Sequence, residues 1–263
     1  MFTFSKHVRF RIEKNFILVC DCKRLMSFKI NLKYEHFMSA VNRGLGEKDI
    51  KSDKNKLLFK DLQKTRFLSP LTVRRVKKKE FKSAEVLLGK ELFQKERPAV
   101  LSQRRLYNMF RKNPLFFIGV FLNNELIGVV GGGKRKITGE AVISVLSVDS
   151  RFKGRGFGKL LVKEFEKQAR EKGFKIIKLG SSNESIGFYQ SLNYKPSILI
   201  QIKVSKFKNI KEKIKRFKVI LINQVNNYKG IEIKCDKIDL NFLKKIKKDL
   251  KADAVQYLFT KKL

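Results

Sequence analysis

Gly154, Gly156 and Gly158 alternate along the stretch Lys153-Gly154-Arg155-Gly156-Phe157-Gly158-Lys159. An apolar strand-like run, Ala141–Val148, precedes them and a helix-like run, Lys159–Arg170, follows. Glycines between a strand and a helix let the backbone approach a ligand closely. The N–H groups of the first helical turn have no intrahelical acceptor, so they form an anion site. The chemistry implied is the holding of a phosphate, with a purely structural turn as the alternative that these residues leave open. The stretch is not a Walker A loop, because no Gly-Lys-Ser/Thr ends it. It also departs from the dinucleotide fingerprint G-x-G-x-x-G, and Ile176-Ile177-Lys178-Leu179 stands where an acidic residue would be expected.

The elements around the glycines are legible from periodicity. Leu161, Phe165 and Ala169, with Leu160 beside them, make an apolar helical stripe, while Lys163, Glu166, Lys167 and Arg170 face away. Gly173 is the expected helix stop, and 174–179 reads as a strand. Ser181-Ser182-Asn183-Glu184-Ser185 then caps a short helix containing Gly187–Leu192, and Ile198–Lys203 is a further strand. Upstream, Leu71–Val76 reads as a strand, followed by helices at 81–94 and 98–111. Phe116–Phe121 and Leu126–Val130 form a hairpin over an Asn123-Asn124 turn. Strands alternating with helices call for an α/β domain with ligands at the carboxyl ends of strands.

Val148-Asp149-Ser150-Arg151-Phe152-Lys153-Gly154-Arg155-Gly156-Phe157-Gly158-Lys159 resembles the acetyl-CoA loop of the GNAT superfamily of N-acetyltransferases. Phe188-Tyr189-Gln190-Ser191-Leu192-Asn193-Tyr194 resembles that family's second marker, an aromatic-Tyr pair before "Leu-Gly-Phe". The resemblance covers about residues 70 to 205. It implies a mixed central β-sheet flanked by helices and an acetyl-CoA-dependent N-acyltransferase in which an amine attacks the thioester directly. It also implies residue roles. Backbone groups of Leu146, Ser147 and Val148 pair with the pantetheine arm as an added strand. Gly154, Arg155, Gly156, Phe157, Gly158 and Lys159 cradle the pyrophosphate, and Lys153 stands where the family has Gln or Arg. Tyr189 returns a proton to the leaving thiolate, and the alternative for it is a core aromatic. Asn183, six residues before Tyr189 where the family has seven, is kept as a donor contact. Glu140 is the nearest acidic candidate for a general base, against a solvated strand-end glutamate. The resemblance implies acetyl-CoA as donor and no metal.

The 263 residues exceed one such domain. Residues 1–69 are expected to be a small unit of three strands (8–12, 16–20 and 26–30) and then helices at 34–45, from 46 and at 57–67, with Pro70 marking its end. That plan resembles a winged helix or the PqqD-like peptide-recognition domains; a stabilising appendage is the alternative. Residues 206–263 read as a basic ββαβ extension: strands at 217–223 and 230–235, a helix with Leu240, Leu243, Ile246 and Leu250 on one face, and a strand at 255–260. This tail either completes the sheet or makes a homodimer contact.

Lys and Arg number 61 against 24 Asp and Glu, for a net charge of +37. A compositionally biased genome would explain the lysine but not the scarcity of acids, and the spread of charge over all three segments, with no dominant basic block, favours such bias over one dedicated groove. An anionic partner (nucleic acid, an acidic protein or simply CoA itself) stands beside that bias as an expectation, and a non-catalytic CoA-binding or nucleic-acid-associated module is the alternative function. Cys20, Cys22 and Cys235 are an odd set without metal spacing, which suits a reducing, cytoplasmic setting. No apolar run reaches the ~18 residues of a membrane span. Charge interrupts Met1–Lys6 too early for a signal peptide.

Overall fold

A computed structural model of the chain describes residues 1–50, 52–65, 67–92, 103–135 and 139–263. The ends of two expected helices, at 93–94 and 98–102, lie outside the described residues, as does position 66 of a third. The fold is mixed α/β, a large mixed sheet with flanking helices. The chain forms two compact units. One contains Met1–Gly132 and Val145–Gln168, the other Gly133–Ser144 and Ala169–Leu263.

In the first unit, β1 (Phe2–Phe4) precedes a separate antiparallel meander of β2 (Val8–Ile12), β3 (Ile17–Asp21) and β4 (Met26–Ile30). Two helices follow, α1 (Glu35–Arg43) and α2 (Asp53–Lys64). The α1 helix ends at Gly44, where φ of +102° suits a residue without a Cβ. Phe4, Val8, Ile17, Val19, Phe37, Met38 and Leu62 bury together beneath these elements. Next come β5 (Leu68–Arg75), α3 (Phe81–Leu92), α4 (Gln103–Lys112), β6 (Ile118–Leu122) and β7 (Glu125–Lys134), paired in the order β1-β5-β6-β7. Pro70 thus lies inside a strand, opposite Phe2 of β1. Lacking an N–H, proline tolerates such a place near a strand's start. The N-terminal residues and 70–132 accordingly share one unit.

The hairpin turn carries Asn123 and Asn124 at φ of +49° and +65°, the mirror-image turn that matches strand twist and that asparagine tolerates. β8 (Ala141–Val148) leads through the glycine stretch into α5 (Phe157–Glu171). Leu161, Val162, Phe165 and Ala169 are fully buried along α5, each large side chain contributing roughly 1.5–3 kcal/mol. Glu166, expected outside, is also buried, because the covered face of α5 is wider than a single stripe. Beyond α5, Gly173 has φ of +78° and Phe174 N–H donates to Ala169 O, the expected glycine stop.

In the second unit β9 (Ile176–Gly180) runs parallel to β8 in register from Ala141–Ile143 to Ile177–Leu179. Then come α6 (Ile186–Gln190), β10 (Lys195–Lys203), α7 (Val204–Phe207), α8 (Lys211–Ile214), β11 (Val219–Val225), β12 (Tyr228–Lys234), α9 (Leu240–Asp249) and β13 (Ala254–Lys262). The strand order is β9-β13-β10-β12-β11, so the last strand inserts between β9 and β10. The C-terminal residues therefore complete the sheet. On α9, Leu243 and Ile246 bury while Lys244, Lys245, Lys247 and Lys248 are exposed, but Leu240 at its start stays 41% exposed.

Candidate functional site

The glycine stretch is a braced turn. Asp149 follows β8, and its N–H donates to Ile127 O. The Asp149 carboxylate accepts from Arg151 N–H at 2.9 Å and from the Arg151 guanidinium at 2.9 and 2.7 Å. Those bonds hold its pKa down to about 2. Arg151 also reaches Glu125 at 3.1 Å. Glu91, near the end of α3, accepts the Ser150 N–H at 2.9 Å and pairs with Lys153 Nζ at 2.8 Å. Burial acts to raise the Glu91 pKa, yet the Lys153 and Ser150 donors outweigh it, and the group sits below its ordinary value.

Gly154 and Gly156 take φ of +78° and +84°, in the left-handed region where a side chain is strained. Both are exposed, and the Leu160 N–H to Gly156 O bond at 3.0 Å starts α5. Gly158 is half-buried in the first helical turn, and Lys159 beside it is exposed. The first turn therefore opens on residues that carry no side chain of their own at 154, 156 and 158, which is an anion-binding arrangement.

Arg155, between the two left-handed glycines, turns inward. It is buried, and its Nη1 and Nη2 donate to Phe4 O at 3.4 Å and Val8 O at 3.3 Å. Its guanidinium lies 5.3 Å from the Phe152 ring centroid. Desolvation, with a smaller contribution from the Arg9 charge, pulls its pKa down to about 10. Phe157 is likewise buried, so Arg155 and Phe157 present backbone rather than side chain at the turn. On β8, Ser147 is buried while Leu146 and Val148 are half-buried.

In the second unit Tyr189 lies on α6, 6% exposed, against Phe188, Tyr194 and Phe259 at centroid distances of 5.0, 6.0 and 5.7 Å. Burial pushes its phenol up to about 12, so it stays protonated through the physiological range. Asn183 opens the short turn before α6 and is exposed, next to Ser182, whose hydroxyl lies 3.0 Å from that of Ser185. Glu140, just before β8, is held by Arg135 at 3.6 Å and by Lys178 at 3.3 Å. Lys178 also binds Glu232 at 2.9 Å, which in turn accepts from Ser197 at 2.8 Å. Glu140 thus sits half-buried at the edge of an ion-pair cluster whose Lys178 and Glu232 are buried, rather than standing solvated at a strand end.

Residues 82–194, from α3 through the Tyr189 segment, match the model of the Acetyltransferase (GNAT) family. Over those residues the chain is similar to the GNAT acetyltransferase family. Solved structures similar to it include Ard1 from Thermoplasma volcanium, 18% identical over 62% of this chain and 95% of that one, with a TM-score of 0.37. Diaminobutyrate acetyltransferase EctA from Paenibacillus lautus, solved with its substrate L-2,4-diaminobutyric acid and coenzyme A, is 10% identical over 65% and 99%, with a TM-score of 0.43. The polyamine N-acetyltransferase of Drosophila melanogaster is 12% identical over 74% and 100%, with a TM-score of 0.45. No curated protein sequence matches the chain.

The matched GNAT domain contains the glycine turn, Glu91, Glu140, Asn183 and Tyr189, and leaves β1 to β5 and β10 to β13 outside it. Two residues beside the turn escaped sequence reasoning. Glu91 lies 59 positions from Ser150, with no local pattern to mark it. Arg43, the last residue of α1, lays its side chain on Gly156: a Cβ there would meet Arg43 Cγ at 3.5 Å and Cδ at 3.9 Å. Among the described residues there is no group of three or more His, Cys, Asp or Glu placed to hold a metal ion. None of the described helices is long and apolar enough to cross a membrane.

Proposed function

We propose that the chain is an acetyl-CoA-dependent N-acyltransferase that moves an acetyl group to an amine. The observation that carries this reading is the turn itself: two exposed glycines in the left-handed region opening α5 inside a matched GNAT domain. In this reading the pyrophosphate of CoA lies on the N–H groups from Gly154 to Lys159, where the helix dipole favours an anion. The pantetheine arm adds to β8 along Leu146, Ser147 and Val148, past the Ala141–Ile143 stretch that is in register with β9.

The reaction forms one C–N bond and breaks one C–S bond. The neutral amine attacks the thioester carbon, the amine proton leaves to solvent, and CoA departs as a thiolate. Tyr189 hands its phenolic proton to that sulfur and is reprotonated from solvent; burial keeps the phenol protonated before the step, while the raised pKa of about 12 works against the transfer itself. Glu140 is given no role as base, since Arg135 and Lys178 occupy its oxygens. Asn183, exposed beside Ser182, is assigned to the donor rather than to the amine.

Calorimetric titration with CoA, followed by mass spectrometry of acetyl transfer to a panel of amines, peptides and RNA, tests the reading. CoA binding, amide formation and loss of turnover in Tyr189→Phe are expected. CoA binding with no product and an indifferent Tyr189→Phe would leave a non-catalytic CoA-binding module.

A further inference from the structure

The turn that opens α5 is rich in cations, yet most of them are committed elsewhere. Arg151 is paired with Asp149 and Glu125. Lys153 is paired with Glu91. Arg155 is buried on the carbonyls of Phe4 and Val8. A pyrophosphate resting on the glycines would meet backbone N–H groups and Lys159, but none of these three charges is uncommitted.

The N-terminal residues supply a replacement. Arg43 is exposed, and its Cβ, Cγ and Cδ lie within 3.9 Å of where a Cβ on Gly156 would stand, which leaves its guanidinium, two bonds beyond Cδ, within reach of the glycine turn. Its backbone is fixed there. Leu45 and Phe2 exchange N–H···O bonds at 2.6 and 3.0 Å, tying the end of α1 to β1. Thr3 Oγ1 donates to Asn42 O at 3.3 Å, and β1 is anchored to the turn by Arg155 through Phe4 O. Among the described residues Arg43 has no ion-pair partner. Arg155 thus docks the N-terminal region on the turn, and that docking brings the Arg43 stem onto Gly156.

We infer that Arg43 is a donor-binding residue, contacting the phosphates of CoA, and that the region before the matched domain completes the donor site. Arginine suits this place because its planar fork pairs with phosphate oxygens in a bidentate manner. The inference rests on the turn being the CoA pyrophosphate site. It gives the N-terminal region a part in donor capture that neither a peptide-recognition module nor a stabilising appendage requires.

The test is calorimetric titration of the full chain and of Arg43→Ala and Arg43→Lys with CoA and with pantetheine, which lacks the pyrophosphate. Arg43→Ala should weaken CoA binding roughly tenfold or more, the size expected for losing a charge-assisted bond. Arg43→Lys should recover part of that, and the gap between wild type and Arg43→Ala should narrow as salt is raised. Pantetheine binding should be the same in all three. Equal CoA affinity of wild type and Arg43→Ala overturns the inference while leaving the donor reading intact. An equal loss for CoA and pantetheine overturns it as well, marking a structural effect. Failure of the wild-type chain to bind CoA fails the donor reading itself, and this inference with it.

Discussion

The glycine turn and the Tyr189 segment are two halves of one proposed reaction, and they are built in opposite ways. In that proposal the working groups at the turn are backbone N–H donors, and side chains enter by bracing it: Arg155 inward, Asp149 on Arg151, Glu91 on Lys153. At α6 the working group is one side chain, and its neighbours Phe188, Tyr194 and Phe259 matter by excluding water. A backbone site is sensitive to conformation and tolerant of nearby side-chain loss. A buried side-chain site is the reverse.

The largest effect that would break this contrast is at Gly156. Gly156→Glu places a side chain at φ of +84° and a carboxylate where an anion is proposed. CoA affinity should fall by about 100-fold or more, with the far-UV spectrum retained, since the backbone strain alone is about 1–2 kcal/mol. Unchanged affinity in calorimetry would remove the pyrophosphate from this turn. Next is Tyr189→Phe, for which kcat should fall on the order of 100-fold with donor affinity unchanged, as loss of a general acid requires. A matched rise in KM for acetyl-CoA would instead mark Tyr189 as packing.

The same phenol sets a pH dependence. Its folded-state pKa is raised from 10.0 to about 12, so between those values the folded chain binds more protons than the unfolded one. Stability should therefore fall as pH rises above 10, on the order of 2 kcal/mol by pH 12, and thermal melts of Tyr189→Phe should lack that part of the decline. A smaller effect is expected at Asp149. Its carboxylate, with a pKa of about 2, is fully ionised at neutral pH, and its contribution is lost only as pH falls below 3.8 toward 2. Asp149→Asn should raise the KM for acetyl-CoA several-fold by loosening the brace on Arg151, with kcat nearly unchanged. The smallest effect is at Lys153. Because Glu91 holds it, Lys153→Ala should change CoA affinity by less than about threefold. A tenfold loss would place that lysine on the ligand and reverse the assignment to Arg43.

Glycine spacing, the strand before it and the amphipathic helix after it are local properties, so the turn was legible in the sequence. So was the Asn123-Asn124 hairpin, because a two-residue mirror-image turn imposes its own residue preference. The Phe188-Tyr189 pair was legible only through resemblance, since nothing in its spacing sets a phenol apart from a core aromatic. The direction of Arg155 was not legible at all. Alternating glycines leave both faces of a turn open to the residue between them, and the choice was made by the carbonyls of Phe4 and Val8, about 150 positions away. Glu140 read as a solvated strand end for the same reason: Lys178 and Glu232 come from other strands.

By itself, then, the sequence determined the strand–turn–helix unit and the glycines that open it, since φ preference and hydrophobic period act between near neighbours. Tertiary structure decided which cations stay at the turn, that the last strand inserts between β9 and β10, and that the N-terminal residues lie against Gly156. Those outcomes depend on burial and charge pairing between distant segments, and no local pattern encodes a partner that only folding brings near.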